Sequence, residues 1–559
     1  MHRSALAGSC LLALALTLAG CGGGSSGGAG GAPPPPAGMS AADAARLLEQ
    51  ASFGPTPSEV SRVAALGLKG YLDEQLALPA TGYSGFSYVP HTAAADCKYD
   101  PTSPTGAASL CARDNYSLFQ VQRQFFENAL GGRDQLRQRV AFALSQIFVT
   151  SGVEIYEAYG MAAYQNLLLR DAFGNYRQLL EDVTLSPVMG HYLDMANNDK
   201  PNAARGTSPN ENYARELMQL FSIGVSQLNA DGTVALDASG QPVPTYDQDV
   251  IEGMASVLTG WTYPARPGAA SAWTNPINFE GTMSSFPDHH DPTSKLLLGG
   301  VVAPAGQTPE QDLKLALDTI FAHPNVGPFI GRQLIQHLVT SNPSPAYVAR
   351  VAAVFADNGQ GVRGDLAAVV RAILGDAEAR GDAPSSSAAG HLREPALFIG
   401  GVLRALGARS DGAYLVGQAA AMGQPIFAPP TVFNYYPPSY QLPGSTTLAP
   451  EFFIHDAATA LARANFLQTL IYGGGAPPDP TVIDSIGTTV DLTPLGGGAT
   501  SPGALLDQLN AQLMHGSLSD AARAAIATAL GALASDDALG RARAATYLLA
   551  SSPQYQLER

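Results

Sequence analysis

Ser208-Pro209-Asn210-Glu211-Asn212-Tyr213-Ala214-Arg215-Glu216-Leu217-Met218-Gln219-Leu220-Phe221-Ser222-Ile223-Gly224 is the stretch whose reading decides the architecture. Ser208 is a helix-capping residue, Pro209 suits a first turn, and Glu211 stands where its side chain can bond back to the cap, so the spacing predicts a capping box. Tyr213, Leu217, Leu220 and Phe221 then fall on one face of a 3.6-residue period. Glu211 and Arg215 are one turn apart. Gly224 is a residue able to turn left-handed at the end. The segment 208–224 therefore predicts one amphipathic helix packed against a core.

The same period recurs outward in both directions. It starts with Ser40 as a cap ahead of Leu47, Leu48 and Ala51, and continues through 58–66, 68–78, 115–130, 134–150, 155–170 and 174–197, the last in two pieces. Beyond the opening stretch it returns at 247–260, 309–322, 325–340, 345–357, 363–375, 392–407, 411–423, 451–472, 503–515, 518–533 and 537–551. Strand signals concentrate in 225–245, where short runs flank the turn dipeptides Asp231-Gly232 and Ser239-Gly240. Asn229, Asp231 and Asp237 lack the spacing of a calcium loop and are residues that turns prefer. The fold class expected is mainly α: a large multi-helix assembly with a small β-hairpin insertion at about 225–245. The division expected is a signal peptide at 1–20, a lipidated cysteine and Gly/Pro-rich tether at 21–39, a main helical domain at 40–472, and loops with a C-terminal helical subdomain at 473–559.

The start of the chain carries an address. His2 and Arg3 precede an apolar run from Leu11 to Leu18, too short to span a bilayer as a mature helix. Leu18-Ala19-Gly20-Cys21 follows with the form of a bacterial lipobox, so Cys21 is the expected lipidation site. Acyl chains there hold a protein at a membrane at about 0.8 kcal/mol per buried CH₂. Residue 22 is Gly rather than Asp, which favours the outer membrane over inner-membrane retention. The expected location is the cell envelope, facing periplasm or cell surface.

Removal of residues 1–20 leaves 30 basic against 47 acidic residues, a formal charge of −17. Nucleic acid is not an expected partner, because phosphate binding requires a clustered positive footprint. Apart from Cys10 and Cys21, the cysteines are Cys97 and Cys111. In an oxidising compartment they are expected to form one disulfide, and with no nearby Cys-x-x-Cys or paired His they make a poor zinc site.

NENYARELMQLFSIG from Asn210, followed by ASVLTGWTY from Ala255, resembles the signature of the bacterial domain-of-unknown-function 1800 family. The resemblance extends to RLLEQASFGPTPSEV at Arg46, GLKGYLDEQL at Gly67 and RDAFGNYRQLLEDVTLSPVMGHYLD at Arg170. Further on it takes in HDPTSKLLLG at His290, AHPNVGPFIGRQLIQHLV at Ala322, REPALFIGGVLRALG at Arg393 and GQPIFAPPTVF at Gly423. It implies an exported, mostly helical protein of undetermined activity, often encoded beside an exported partner whose fold resembles alkaline phosphatases and sulfatases.

Asp288-His289-His290-Asp291 is the densest group of metal-ligand residue types, placed on a loop by Pro287 and Pro292. His290 and Asp291 coincide with the family's HD pair, and Lys295 and Gly299 with its following K and G. Together with Glu211 or Glu216 they are candidates for a divalent-metal or acid–base site of a hydrolase. Equally, His290 and Asp291 can bond to backbone groups and pin the loop, with Glu211 capping its helix and Glu216 paired to an arginine. No G-x-S-x-G elbow, P-loop, H-E-x-x-H or Rossmann glycine pattern is present. His323 and His337 sit among apolar neighbours and read as structural. The loop 426–440, with Phe427, Phe433, Tyr435, Tyr436 and Tyr440 among its prolines, either forms an aromatic groove or wraps the core. The function expected is that of an envelope-tethered binding or assembly partner of another exported protein, or a protein acting on surface polymers; the alternative is an exported hydrolase.

Overall fold

Helix caps are the most local statement the sequence makes, and many of them are formed. Ser40 accepts the Asp43 amide at 3.0 Å and starts Ala41–Ala51, whose Leu47, Leu48 and Ala51 are buried. Thr56 and Glu59 complete a capping box ahead of Pro57–Ala77, and Thr308 and Gln311 another ahead of Pro309–Ala322. Pro57–Ala77 breaks at Gly67, where φ is 69° and the helix direction changes. The structure, a computed structural model, describes residues 38–90, 97–381, 389–497, 501–534 and 536–559. The signal segment, Cys21 and the tether up to residue 37 lie outside them.

Twenty-one α-helices among the described residues make the chain mainly α. Residues 38–559 form one compact unit around a continuous apolar core. Two helices run through its centre. Gln135–Ile147 buries Leu136, Val140, Ala143, Leu144 and Ile147, and also Gln138, Arg139 and Gln146; Pro395–Ala405 is buried along its whole length. Ala158–Asp171, Val326–Leu338 and Pro57–Ala77 pack on the first of these. Several of the polar groups carried inside are bonded to other buried polar groups. Gln146 meets Glu394 at 3.3 Å, and the Tyr436 hydroxyl donates to Glu394 at 2.7 Å. These bonds staple the aromatic loop to the core, with Phe427, Tyr435 and Tyr436 buried while Phe433 stays about half exposed. The loop therefore wraps the core more than it forms a groove.

Among the described residues the β structure is confined to antiparallel two-stranded pairs of two residues per strand and to single bridges. Trp261–Thr262 pairs with Ser284–Ser285, Lys295–Leu296 with Val302–Ala303, and Arg409–Ser410 with Thr488–Thr489. His391–Leu392 pairs with Leu557–Glu558, so the last residues return to the centre of the fold. The excursion at 225–245 is not a simple hairpin. Three short legs bridge one another, Leu228 with Val234, Leu236 with Pro242 and Ser226 with Pro244. Gln227 N donates to Val243 O, Val243 N to Ala235 O and Ala235 N to Gln227 O, closing a triangle. Gly232 and Gly240 take positive φ at its two turns.

Cys97 and Cys111 are disulfide-bonded. Cys111 lies on the helix Ala107–Asn115. No described helix is long and apolar enough to cross a membrane.

Candidate functional site

The opening signature is shorter as a helix than its sequence predicts. The helix is Asn212–Gln219, with Glu211 at the N-cap and no side-chain cap bond. The capping box at Ser208 is not formed, because Asn198 takes the preceding backbone. Its side chain accepts the Asn210 amide at 2.7 Å and donates to the Asn210 carbonyl at 3.3 Å, and the Asn210 side chain in turn accepts the Asn212 amide. Glu211 instead pairs with Arg215 at 2.6 Å and accepts from Gln248 at 3.0 Å. With Arg215 so engaged, Glu216 forms no ion pair with it. One Glu216 oxygen is buried with no hydrogen-bond partner, and burial pushes its carboxyl above the ordinary value against the pull of Arg215. Gly224 ends the segment at φ 72°, as the sequence predicts.

His290 is buried and both ring nitrogens are engaged. Nδ1 donates to the Thr259 carbonyl at 2.9 Å and Nε2 meets Asp312 at 2.8 Å. The same Asp312 oxygen receives Lys295 Nζ at 2.7 Å, and the three side chains are at most 2% exposed. Lys295 spends its other protons on the carbonyls of Asp291 (2.6 Å) and Thr293 (2.8 Å). Asp291 turns its carboxylate onto the Thr293 amide and hydroxyl, and its own amide donates to the Thr259 hydroxyl. Burial would raise the Asp291 carboxyl, but Thr293, Ser256 and Lys295 together hold it below the ordinary range.

Gly260 makes this junction fit. It holds φ 85°, and a Cβ there would meet His290 at 3.0 Å. His289 lies outside the cluster, stacked on Trp273 at 4.0 Å and bonded to Asp199 at 3.1 Å. Among the described residues no group of three or more His, Cys, Asp or Glu side chains is arranged to hold a metal ion. The structure thus brings His290 and Asp291 together with Lys295 and Asp312, while Glu211 is spent on Arg215 and Gln248. His323 accepts the Asn325 amide at 3.2 Å. Burial, Arg139 and His391 push the His337 imidazole down to about 3.

A second polar cluster has no counterpart among the sequence candidates. Glu49, from the helix Ala41–Ala51, accepts two bonds from the Arg393 guanidinium, one of them 3.0 Å long. It also accepts His515 Nε2 at 2.9 Å. Burial would raise the Glu49 carboxyl, but Arg393 and His515 outweigh it and hold the group at about 2. Glu558, the Leu557–Glu558 strand residue paired with His391, lies 3.5 Å from the His391 ring and 3.9 Å from Arg393. Glu451 accepts from His391 at 3.3 Å and from the Ser341 hydroxyl at 2.8 Å. Burial would neutralise His391, yet Glu558 and Glu451 raise it to about 10 and keep it protonated.

His515 stands where the backbone is unusual. It follows the π-turn Asn510–Met514 and adopts φ 51°, ψ 36°, the left-handed region a side chain enters at a cost of about 1–2 kcal/mol. π-turns and left-handed non-glycine residues both concentrate at functional sites. The ring closes one side of a cleft of about 450 Å³ lined also by Arg46, Glu49, Arg393, Glu558 and Arg559, with Leu513, Met514 and Leu557 as apolar wall. That volume falls in the range of roughly 300–1,000 Å³ typical of ligand sites.

Among known proteins, the model of a family described as "Protein of unknown function (DUF1800)" matches residues 46–557. No curated protein matches, and no solved structure does. The matched span takes in the signature helix, the His290–Asp312–Lys295 cluster, and Glu49 and Arg393 of the cleft, and on that coverage the chain belongs to the DUF1800 family.

Proposed function

We propose that this chain is a lipid-anchored envelope protein that works as a binding or assembly partner of another exported protein. The observation that carries the reading is how the signature's polar residues are spent. His290 and Lys295 share one oxygen of Asp312, whose other oxygen is buried without a partner, Asp291 and Lys295 bond the local backbone, and Glu211 is engaged by Arg215 and Gln248, so most of these groups hold elements in place. The lipobox ending at Cys21 and the Gly/Pro-rich stretch after it support a tether at the outer membrane, with the folded unit in the periplasm or at the surface. The partner favoured is the exported protein resembling alkaline phosphatases and sulfatases that the family resemblance implies.

Two measurements test this. Full-length protein should fractionate with outer membranes, and Cys21→Ser should release it; a wild-type chain recovered entirely in the soluble fraction refutes the anchor. Detergent-solubilised chain should co-purify stoichiometrically with the product of the adjacent exported gene, and its recovery alone at every salt concentration refutes the partner.

The second reading, an exported hydrolase using a divalent metal, draws on one observation: the half-buried Glu216 carboxyl has an unpartnered oxygen and a raised pKa. Elemental analysis of chain purified without chelator, beside folded Glu216→Ala and His290→Ala variants, separates the two. Stoichiometric metal lost in both variants favours the hydrolase, and metal-free wild type favours the binding protein.

A further inference from the structure

We infer that the outward face of the helix Val326–Leu338, together with the loop tip Val432–Phe433, is a docking surface for a partner protein that presents a carboxylate side chain beside an apolar one. The inference rests on the partner reading and deepens it, by naming the face of this chain and the chemistry of what meets it.

The anchor is Arg332. Its side chain is half-buried, and among the described residues no group hydrogen-bonds or ion-pairs with it. Burial alone acts on its guanidinium, moving it below the ordinary value with no acidic neighbour to raise it back. By contrast, Arg393 holds Glu49 and Arg404 holds Glu59. A partly desolvated cation without a counter-charge is unfavourable in the isolated chain. None of its nitrogens is sealed from solvent, so a carboxylate arriving from outside can reach it and take the paired hydrogen bonds a guanidinium offers.

Phe329 and Gln336 lie one turn to either side of Arg332 on the same helix face. With Leu220, Val149, Val432 and Phe433 they line a cavity of about 60 Å³, room for a few waters or for the tip of one side chain. Apolar surface surrounds it. Phe433 is 51% exposed and Val225 56%, the latter following Gly224, against which the Phe329 ring packs. The tip that carries Phe433 is held by Asn434, a buried residue at φ 68° whose side chain donates to Gln146 at 3.0 Å and whose amide donates to the Thr431 carbonyl at 3.1 Å. A left-handed non-glycine residue is costly, and here it keeps an aromatic ring out in water.

Charge selects the occupant. Inside the cavity Glu451 is taken by Ser341 and His391, and His337 is neutral, so the cavity suits an uncharged tip while Arg332 beside it suits an anion. The whole chain carries a formal charge of −16, which repels a uniformly acidic partner; the carboxylate has to arrive on an apolar surface. An arginine and aromatic rings around a small pocket have the composition of an interface hot spot.

The test uses the full chain in detergent and the purified product of the adjacent exported gene, with binding followed by calorimetry. Arg332→Glu and Phe433→Ser should each weaken the complex by about tenfold or more, and Arg409→Glu, the same charge change at an exposed strand residue, should not. Arg332→Met should weaken binding as well, yet leave the melting temperature of the free chain unchanged or raised, which a residue kept for the fold alone would not do. A complex that persists in folded Arg332→Glu and Phe433→Ser overturns the surface and leaves the partner reading standing. If no complex forms, the partner reading fails, and a capped peptide of alternating glutamate and leucine decides the surface against its glutamine counterpart. Binding of the glutamate peptide that Arg332→Glu removes supports the surface; equal binding of the two peptides, or none, overturns it. Phosphatidylglycerol vesicles that bind through Arg332 when neither partner nor peptide does make the occupant a lipid headgroup, and overturn protein docking.

Discussion

Replacing Asp312 by alanine isolates the energetic meaning of the His290 cluster. Asp312 accepts Lys295 at 2.7 Å and His290 at 2.8 Å from one oxygen, all three side chains being essentially out of water. Removing one member of a buried ion pair costs about 3–5 kcal/mol, because the remaining charge stays desolvated and unopposed. Here Lys295 keeps two carbonyl acceptors, those of Asp291 and Thr293, which places the expected loss nearer about 3 kcal/mol. At about 2.1 cal/mol/K per residue, the unit of residues 38–559 unfolds with an entropy of about 1.1 kcal/mol/K, so the midpoint should fall by about 3 °C. Differential scanning calorimetry or circular dichroism melts check this. In the double variant Lys295→Met/Asp312→Leu no charge is stranded, and most of the loss should return. An Asp312→Ala shift below about 1 °C, or strictly additive Lys295→Met and Asp312→Ala effects, would show that the three side chains are not a coupled structural unit.

The charged cluster beside the cleft predicts opposite pH limbs. Glu49 is held at about 2 against an ordinary 4.5, so its contribution to stability is present above pH 4.5 and is lost as pH falls toward 2; Glu49→Gln should flatten the acid limb of a melting-temperature profile. His391 is raised to about 10 from 6.5, so its contribution is complete below pH 6.5 and disappears as pH rises toward 10. His391→Gln should accordingly flatten the alkaline limb, and an unchanged limb refutes the pairing with Glu558 and Glu451. Replacing Cys97 and Cys111 by serine opens a loop with sequence separation 14 and should cost up to about 3 kcal/mol in denaturant titration, with no loss of helical signal.

Helix positions were legible because the apolar period and the caps agree. The stretch 309–322 is observed as Pro309–Ala322, and the gap read at residue 67 is the left-handed Gly67. Where distant groups take over the backbone, the local reading fails. Ser208, Pro209 and Glu211 have every feature of a capping box, yet Asn198 binds both backbone groups of Asn210 and delays the helix to Asn212. The excursion at 225–245 carries a clue that was there to use. Its turn dipeptides Asp231-Gly232 and Ser239-Gly240 are eight residues apart, which fits three legs closing on one another better than one hairpin.

The candidate site divides in the same way. His290 and Asp291 were legible as a pair because they are adjacent on a proline-bounded loop, but the residue that fixes their role, Asp312, sits on a helix where it reads as one more acidic residue in a first turn. The cleft was harder still, since Glu49 lies 344 residues from Arg393 and 466 from His515. No spacing rule connects positions that far apart. One signal does survive at the level of single helices: Glu49 immediately follows Leu47 and Leu48 on a face that is buried throughout, and Arg393 directly precedes the wholly buried Pro395–Ala405. A charge on a face that hydrophobic periodicity assigns to the core must be paired, and two such charges of opposite sign in the same fold are natural partners. Glu49 and Arg393 are thereby each required to be paired, while the choice between Arg393 and other buried arginines such as Arg46, Arg139 and Arg404 rests on the tertiary fold. The pairing rule does not reach His515, whose place in the cleft depends on a π-turn and a left-handed backbone that its sequence neighbourhood does not announce.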